Sequence, residues 1–341
     1  MIDELDRLKL LNETGVAVIG CGAVAKLYLV PALLRVPGAE IRALIDTDLR
    51  QAEQVQNMFR LSSAKTLKSI DDILRDEQVT HLVVATPPKS HAELCIKALE
   101  SGKKVYCEKP LALSAAEGRL ILDAMKRSAG QLSIGFNYRF AAQFKKVKDL
   151  IDKGFAGKIL SLSVFFLTNA SPWPTETGFQ FTKEGGGALF ETGPHPIDIA
   201  LWLLGQVKSV SCILQEKMDS NALVEDSALV FLRHSSGSTS VIHVSWHSAN
   251  YFGMTVVGSN GVMQAERGLD KIRALEFGVV GRNWVLLPVQ SPANTSSYQH
   301  SLHDFVKGTC RGATPEEAVR NLELVEAAFD SARSDGRWIN L

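Results

Sequence analysis

The sequence predicts an α/β protein of two domains, with a doubly wound parallel sheet first and then an α+β domain with an open-faced, mostly antiparallel sheet. Three observations predict this fold. Up to about residue 136, apolar strand-like runs alternate with helical patterns of about ten to fifteen residues, as in a parallel sheet. A glycine-rich turn joins the first strand to the first helix. Beyond about residue 140, glycine-rich turns separate short strand-like runs, as in hairpins. We therefore expect domains at 1–136 and 137–341.

In the first domain, local signals mark the predicted elements. Pro31 lacks a backbone N–H, so it is expected to kink or shorten the first helix. Gly102 is a good C-terminal stop for the helix before it, and Ser114 with Glu117 forms a capping box at the start of the next one. In chain order the predicted elements are a strand at 16–19, a helix at 23–36, a strand at 41–45, a helix at 48–59, part of a helix at 69–74, a strand at 79–85, a helix at 90–101, a strand at 104–107, a helix from 114 to about 128 and a strand at 132–136.

The second domain is predicted to begin with a helix and to continue mainly as strands. Phe144 and Val147 belong to an apolar set at helical spacing in that first helix. A closing helix starts after Pro315, and it lies either in this domain or against the first one. The predicted elements are helices at 141–153 and 316–333 and strands at 159–167, 207–215, 227–233, 238–246, 252–257 and 262–265.

The turn after the first strand has the pattern G-x-G-x-x-A, formed by Gly20, Gly22 and Ala25. In a dinucleotide-binding fold the first glycine permits a tight turn, and the second lets the backbone approach a pyrophosphate. The free N–H groups of the following helix face the phosphates. Such a pattern is weak alone, but Asp46 ends the second strand about 20 residues further on, where a carboxylate binds the adenosine ribose. The sequence therefore predicts a dinucleotide site. Asp46 favours NAD, and Arg50 on the next helix leaves NADP open.

Two more loops are expected at the same edge of the parallel sheet. Thr-Pro-Pro follows the strand at 79–85, and Glu-Lys-Pro follows the strand at 104–107. Ligands of such sheets bind at the carboxyl ends of the strands. A lysine in a loop is usually only solvated, but the strand end and the following proline fix Lys109 at this edge. Lys109 is therefore a candidate active-site amine.

The densest polar cluster of the chain lies at 185–198. If this segment is helical, Glu191, His195 and Asp198 stand at i, i+4 and i+7 on one face. Two carboxylates beside an imidazole can orient it and keep its pKa near the working pH, as a general base requires. A histidine satisfied in the core and a metal ligand are the alternatives, and the lack of a further ligand candidate nearby disfavours the metal.

Charge and cysteine usage narrow the class of protein. The formal net charge is zero, so no basic field favours nucleic acid or an anionic membrane. No apolar run has the length of a membrane span, and the acidic start Met-Ile-Asp-Glu-Leu-Asp lacks the pattern of a secretory signal. The five cysteines are scattered without a C-x-x-C pair, which is typical of reduced thiols in the cytoplasm.

Taken in order along the chain, these motifs resemble those of the Gfo/Idh/MocA oxidoreductases, the group of glucose–fructose oxidoreductase and inositol dehydrogenase. The resemblance implies a Rossmann domain followed by an open-faced sheet that builds homodimers or homotetramers. It also implies NAD(P)-dependent chemistry on a sugar, a polyol or a nucleotide-linked sugar. The segments that carry it are Gly20-x-Gly22-x-x-Ala25, Asp46, Ala85-Thr86-Pro87, Glu108-Lys109-Pro110, Gly185-Gly186-Gly187, Glu191-x-x-x-His195-x-x-Asp198 and the segment from Ala327 to Gly336.

The resemblance also implies roles position by position. Lys109 corresponds to the lysine that contacts the reacting hydroxyl and the cofactor, and His195 to the catalytic histidine. Glu191, the third implied catalytic residue, stands where the family usually has aspartate, so it either contacts substrate or only supports His195. The implied substrate-binding residues are Asp198, Asn137, Tyr138, Arg139 and Trp173. The implied cofactor-binding residues are Gly20, Cys21, Gly22, Ala23, Val24, Asp46, Thr86, Pro87, His91, Glu108 and Lys109.

Two other functions stay open at the level of sequence. A glycoside hydrolase that retains NAD, oxidises its sugar transiently and eliminates the aglycone would share this fold, and it would release aglycone without net NADH. A non-catalytic protein that binds NAD(H) and a partner would show no turnover. The presence of both Lys109 and His195 counts against the non-catalytic function.

Overall fold

The structure, a computed structural model, falls into two compact units, each with one sheet. The first unit consists of the described residues up to 135 together with 298–316, and the second of those in 136–297 together with 317–341. The residues that the structure describes are 14–169, 182, 186–215, 223–276, 284–289 and 296–341.

Strands and helices are numbered along the chain. The strands are β1 (Thr14–Ile19), β2 (Ala39–Ile45), β3 (Lys65–Leu67), β4 (His81–Val84), β5 (Lys104–Cys107), β6 (Gln131–Ile134), β7 (Ile159–Asn169), β8 (Val207–Leu214), β9 (Ser227–His234), β10 (Thr239–Ser245), β11 (His247–Gly258), β12 (Gly261–Glu266), β13 (Lys271–Glu276), β14 (Val285–Pro288) and β15 (Ile339–Asn340). The α-helices are α1 (Val30–Leu33), α2 (Leu49–Met58), α3 (His91–Glu100), α4 (Ala115–Arg127), α5 (Ala142–Asp152), α6 (Gly187–Glu191), α7 (Pro194–Leu204), α8 (Ser296–Lys307) and α9 (Pro315–Arg333).

The sheet of the first unit has six strands in the order β3-β2-β1-β4-β5-β6. Every neighbouring pair in it is parallel. β1 and β4 are buried almost throughout, as the apolar runs of central strands covered on both faces should be. The predicted doubly wound parallel sheet is confirmed. Its strand order reverses between β1 and β4, and the carboxyl ends of these strands form the edge where such folds bind ligands.

The segment around Pro31 shows how the first helix accommodates its proline. Ala25–Leu29 form a π-helical turn, and the α-helix that follows has only four residues. Proline has no N–H to donate to the preceding turn, and a wider π turn is one way in which a helix absorbs such a gap. The expected shortening is therefore present. The part-helix expected at 69–74 is instead a 3-10 turn at Ile70–Asp72.

Residues 298–316 belong to the first unit, whereas the sequence analysis assigns them to the second domain. The unpredicted helix α8 explains the difference. Its Leu302, Phe305 and Val306 join the apolar core that also contains residues of β1, and the Tyr106 hydroxyl lies 3.2 Å from Ser301 Oγ. Burial of this apolar face holds the segment in the first unit.

The second unit contains a nine-stranded sheet in the order β14-β13-β12-β11-β7-β10-β9-β8-β15. Only β7 and β10 pair in parallel among these strands, so the predicted mostly antiparallel sheet is confirmed. In β7, Leu162, Val164 and Phe166 are fully buried, whereas Ser163 and Phe165 on the other face are half-buried. One face is thus covered within the unit and the other is its open face. In the parts of the chain that the structure describes, no helix has the length and apolar character needed to cross a bilayer.

We expect buried His81 in β4 to make the stability of this protein depend on pH. Its ring is buried and edge-on to Phe305, with the ring centroids 5.0 Å apart. Burial lowers its pKa from 6.5 to about 4. Between these pH values the unfolded chain binds a proton that the folded chain does not, so stability is retained above pH 6.5 and is lost as the pH falls towards 4. A shift of this size corresponds to roughly 3 kcal/mol of unfolding free energy.

Replacing His81 by leucine should remove this component of the acid sensitivity. Urea unfolding between pH 7 and 4.5 measures it for the wild type and for His81→Leu. The wild-type curve should fall more steeply with decreasing pH, although buried His91, whose pKa is also lowered by burial, keeps some slope in both. Parallel curves would show that His81 is not the titrating group.

Candidate active site

The two glycines of the turn after β1 are needed for different reasons. Gly20 has a φ of +88°, and a Cβ there would lie 2.6 Å from the main-chain oxygen of Ala85, so the fold itself requires glycine. Gly22 is exposed, and a Cβ there would meet no atom of the described residues within 4 Å. The space beside Gly22 is therefore open on its ligand side, as the close approach of a pyrophosphate requires.

Asp46, the residue after β2, is bonded to the glycine turn. Its Oδ2 accepts the main-chain N–H of Cys21 at 2.8 Å, and its Oδ1 accepts that of Asp48 at 2.9 Å. The Cys21 side chain is fully buried, and this burial raises the pKa of its thiol to about 12. Cys21 therefore contributes a packing side chain and the N–H that fixes Asp46. Ala23 and Val24 follow as half-buried residues.

Arg50, because of which the sequence analysis keeps NADP as an alternative cofactor, pairs with an anionic side chain. Its Nε and Nη2 donate to the two carboxylate oxygens of Asp48 at 3.0 and 2.9 Å. The side chain is largely exposed. Because Asp48 already neutralises this guanidinium and Asp46 adds a second carboxylate, the charges favour the 2′-hydroxyl of NAD over the 2′-phosphate of NADP.

His91 joins the two loops that follow β4 and β5. Its Nδ1 lies 2.8 Å from the Pro110 carbonyl oxygen and its Nε2 lies 2.8 Å from that of Thr86. The ring is 1% exposed, so neither nitrogen faces a ligand, which differs from the cofactor contact that the sequence analysis implies. In the same region Ser90 Oγ donates to Thr86 Oγ1 at 2.7 Å, and Pro87 is exposed. His91 supports the loops, and Thr86 and Pro87 are the residues at the edge of the sheet.

Lys109 lies in the loop after β5, at the same edge of the parallel sheet as the glycine turn. It is half-buried, and its main-chain N–H donates to Glu108 Oε2 at 3.3 Å. Glu108 is buried, and a Cβ at Gly135 would lie 2.8 Å from its Oε2. Gly135 after β6 therefore makes room for the Glu108 carboxylate, which fixes the backbone that carries Lys109.

His195 lies in the first turn of α7, in an aromatic environment within the second unit. Its ring is 8% exposed. Tyr138 packs against it edge to face with ring centroids 4.7 Å apart, and Phe166 and Phe136 lie at 6.0 and 6.4 Å. Arg267 Nη1 donates to the Tyr138 hydroxyl at 3.1 Å. The imidazole is thus held in one orientation by rings that are themselves packed.

Asp198, one turn after His195 on α7, forms a buried ion pair with Arg139. Arg139 Nη2 donates to Asp198 Oδ1 at 2.7 Å, and Nε donates to Oδ2 at 2.9 Å. The Nη1 group of the same arginine donates to Glu317 Oε2 at 2.9 Å. Complete burial raises the pKa of the Asp198 carboxyl to about 6, and Arg139 opposes this rise. The pair ties α7 to the segment after β6 and to the start of α9.

Of the four described residues implied to bind substrate in this unit, Tyr138 packs against His195, and Arg139 pairs with Asp198 on the helix that carries His195. All four are at least nine-tenths buried, whereas the sequence analysis expects them to face substrate. Asn137 Nδ2 donates to Ser297 Oγ at 3.2 Å, and the polar groups of the other three bind partners within this unit. Their role in binding substrate stays a prediction.

The predicted single helical face is interrupted. α6 ends at Glu191 and α7 begins at Pro194, with Thr192 and Gly193 between them. The reason is that Pro194 and Pro196 have no N–H to donate to the preceding turn. The half-buried Glu191 thus closes one short helix, and its Oε2 accepts a hydrogen bond from Thr192 Oγ1 at 2.7 Å.

The sequence analysis does not identify two residues near the site, and two residues that it does name lie outside the described residues. Arg267 follows β12 and contacts Tyr138, and Trp246 lies between β10 and β11 and contacts Thr192. Neither residue belongs to a motif. Their only signal in the sequence is a polar or amphipathic residue at the end of a strand. Trp173 and the motif glycine Gly185 lie outside the described residues.

The six-stranded parallel sheet of the first unit has the strand order of a dinucleotide-binding fold, and comparisons with known proteins identify the family. Residues 14–136 match the model of the oxidoreductase family with an NAD-binding Rossmann fold. Residues 144–264 match the GFO/IDH/MocA C-terminal domain. The chain therefore belongs to the Gfo/Idh/MocA family of oxidoreductases, and its first unit is the NAD-binding domain of that family.

Individual relatives resemble the chain over nearly its whole length. It is 28% identical over 335 residues to scyllo-inositol 2-dehydrogenase (NAD(+)) of Bacillus subtilis (strain 168), which covers 95% of both chains. It is 27% identical to GenD2 from gentamicin A biosynthesis, whose crystal structure in complex with NAD superposes with a TM-score of 0.82 over 97% of each chain. Levoglucosan dehydrogenase in complex with NADH has a TM-score of 0.87 at 21% identity, with 96% of this chain and 99% of that chain covered. At that identity the likeness shows the fold alone.

Proposed function

We propose that this protein is an NAD-dependent dehydrogenase that acts on a CH–OH group of a polyhydroxylated ring, such as an inositol or a sugar. The observation that carries the proposal is the position of Lys109 after β5, on the same sheet edge as the open space beside Gly22. An amine at that edge stands next to the cofactor region of the fold. The relationship to scyllo-inositol 2-dehydrogenase (NAD(+)) supports the substrate class.

The residues of the chain supply the acid–base and electrostatic parts of the reaction. His195 takes the proton of the substrate hydroxyl as general base. Lys109 donates a hydrogen bond to the same oxygen and stabilises its growing negative charge, an effect commonly worth a few kcal/mol. NAD, when bound, supplies the group that accepts a hydride from the carbon. Asp46 and the turn from Gly20 to Val24 orient the cofactor, and Thr86, Pro87 and the Glu108-supported loop form the edge beside it.

A panel of substrates tests this function directly. Formation of the reduced cofactor is measured by its absorbance with inositols, aldoses and anhydrosugars, each with NAD and with NADP. Turnover of at least one polyhydroxylated ring, with the larger kcat/KM for NAD, is the expected result. No turnover with any of them, or release of an aglycone from aryl glycosides without net NADH, would overturn it.

Gly22→Ala tests the cofactor site separately from catalysis. Because the methyl group enters open space and Gly22 does not have a left-handed φ, the melting temperature should stay within a few degrees of the wild type. The methyl group also occupies the approach path of the pyrophosphate, so the Kd for NAD measured by calorimetry should rise about tenfold or more, which is 1.4 kcal/mol or more. Gly20→Ala is the matched control. It should lower the melting temperature, because its methyl group collides with Ala85. Unchanged NAD affinity in Gly22→Ala would place the pyrophosphate elsewhere.

We also propose that the protein assembles as a homodimer or homotetramer through the open face of its second sheet. The half-buried residues Phe165, Phe231 and Val241 give that face an apolar centre. The buried free thiols of Cys21, Cys95, Cys107 and Cys212 favour a reducing compartment such as the cytoplasm. Light scattering at several concentrations measures the assembly, and a monomer at all of them would contradict it.

A further inference from the structure

Trp246 lies between β10 and β11 and reaches the loop that connects α6 to α7. Its indole Nε1–H donates to Thr192 Oγ1 at 2.9 Å, and Thr192 Oγ1 in turn donates to Glu191 Oε2 at 2.7 Å. Trp246 is 4% exposed and Thr192 is 7% exposed. The main chain of Trp246 is anchored as well, since its N–H donates to the Asp226 carbonyl at 2.8 Å. We propose that Trp246 is a positioning residue that acts through Thr192 to fix the carboxylate of Glu191 in the active site.

The direction of these hydrogen bonds follows from the chemistry of the groups. An indole N–H can only donate, whereas a hydroxyl both donates and accepts. Because the Thr192 oxygen accepts from Trp246, its own proton is directed to the Glu191 carboxylate. A hydroxyl that donates to a carboxylate makes a short, charge-assisted bond. The chain of bonds therefore runs from the sheet to the Glu191 carboxylate.

The length of the Glu191 side chain explains why its carboxylate needs a positioning residue. A glutamate carboxylate moves when any of three side-chain torsion angles rotates, so it needs a fixed partner to hold one position at a site. Thr192 is its neighbour in the chain, and the indole of Trp246 prevents the Thr192 hydroxyl from turning away. Through Thr192, the sheet thereby holds Oε2 of Glu191 in place. This inference rests on the proposed function for its catalytic meaning, but the hydrogen-bond chain can be tested without it.

The first experiment uses the indole N–H signals of protein labelled with ¹⁵N-tryptophan. Trp246→Phe assigns the signal of Trp246 by its disappearance. In Thr192→Val, which keeps the shape of the side chain and removes the hydroxyl, this signal should shift. In Thr192→Ser, which restores the hydroxyl, it should return close to its wild-type position. An indole signal that is the same in the wild type and in Thr192→Val would overturn the proposal, whether or not any substrate has been found.

The second experiment is a double-mutant cycle on kcat/KM with scyllo-inositol and NAD, or with the best substrate of the panel. Trp246→Phe should lower kcat/KM about fivefold and Thr192→Val about tenfold or more, the usual scales of neutral and charge-assisted hydrogen bonds. Trp246→Phe should cost nothing further in the Thr192→Val background, because its target hydroxyl is gone. Thr192→Ser should recover most of the activity, and the Kd for NAD should stay unchanged in all of these variants.

Trp338→Phe is the matched control, because it makes the same chemical change in a partly exposed tryptophan beside β15. It should leave kcat/KM at the wild-type value. Losses from Trp246→Phe and Thr192→Val that simply multiply in the double variant would show that Trp246 does not act through Thr192. Failure of Thr192→Ser to rescue would point to packing in place of the hydroxyl. Absence of turnover in the wild type would contradict the proposed function while leaving the indole measurement valid.

Discussion

Replacing His195 by glutamine, or Lys109 by methionine, should lower kcat by at least about a hundredfold, the scale of a positioned acid–base group. Glutamine keeps much of the volume that packs against Tyr138, and methionine keeps the apolar stem of the lysine. Without the imidazole the substrate hydroxyl has no base for its proton. Without the amine the charge on the same oxygen is not stabilised. The rate of NADH formation at saturating NAD and substrate measures both losses.

Two controls separate this effect from damage to the fold. His247→Gln and Lys145→Met make the same chemical changes at exposed positions of the second unit, and they should leave kcat near the wild-type value. The melting temperature and the Kd for NAD should be preserved in His195→Gln. A near-normal kcat in either active-site variant would remove that residue from the mechanism.

The double variant His195→Gln/Lys109→Met tests whether the two side chains act on one oxygen. Lys109 belongs to the first unit and His195 to the second. If both groups serve the same transition state, the double variant should be little worse than the poorer single variant, because residues that act as a unit are strongly non-additive. If the losses multiply, the two groups act independently, and the common mechanism proposed above is wrong.

The parts of the site that could be predicted from sequence are those made by neighbours in the chain. Gly20 and Gly22 follow a buried strand and precede a helical segment, so the turn and its dinucleotide role follow from local chemistry. The spacing to Asp46 adds one tertiary contact, and the hydrogen bond from the Cys21 N–H to Asp46 shows that this contact forms. Lys109 is placed at the ligand edge by its strand end alone.

The partners of the second unit could not be predicted, because they meet only when the sheet forms. Arg139 is itself among the residues expected to bind substrate, yet it forms ion pairs with Asp198 and Glu317 from two distant helices. The choice between a buried ion pair and a substrate contact depends on these long-range positions. Pro194 and Pro196 were visible in the sequence, and their missing N–H groups give the interruption between α6 and α7 that the i, i+4, i+7 pattern ignores.

Replacing Arg139 by leucine should destabilise the protein by about 3–5 kcal/mol at pH 7, the cost of breaking a buried ion pair from one side. The reason is that Asp198 is 1% exposed and, with no cation beside it, must either carry a buried charge or bind a proton, and both cost free energy. Glu317, the other partner of Arg139, is 37% exposed in its side chain and can turn to water. The free energy of unfolding in urea measures the effect. The double variant Arg139→Leu/Asp198→Leu should recover most of the lost stability, because no charge then remains buried.

Acid should partly rescue the single variant, and this distinguishes a lost charge partner from lost packing. The pKa of Asp198 is already about 6 with Arg139 in place, and removal of the guanidinium removes what opposes a further rise. A carboxyl whose folded pKa is raised favours folding when it is protonated, and this contribution is lost as the pH increases through that pKa. The stability gap between wild type and Arg139→Leu should therefore narrow from pH 7 to pH 5. A stability gap that stays constant between pH 7 and pH 5 would mean that Arg139 stabilises α7 by packing alone. In that case Arg139→Lys, which keeps a charge without the bidentate geometry, should be as unstable as Arg139→Leu.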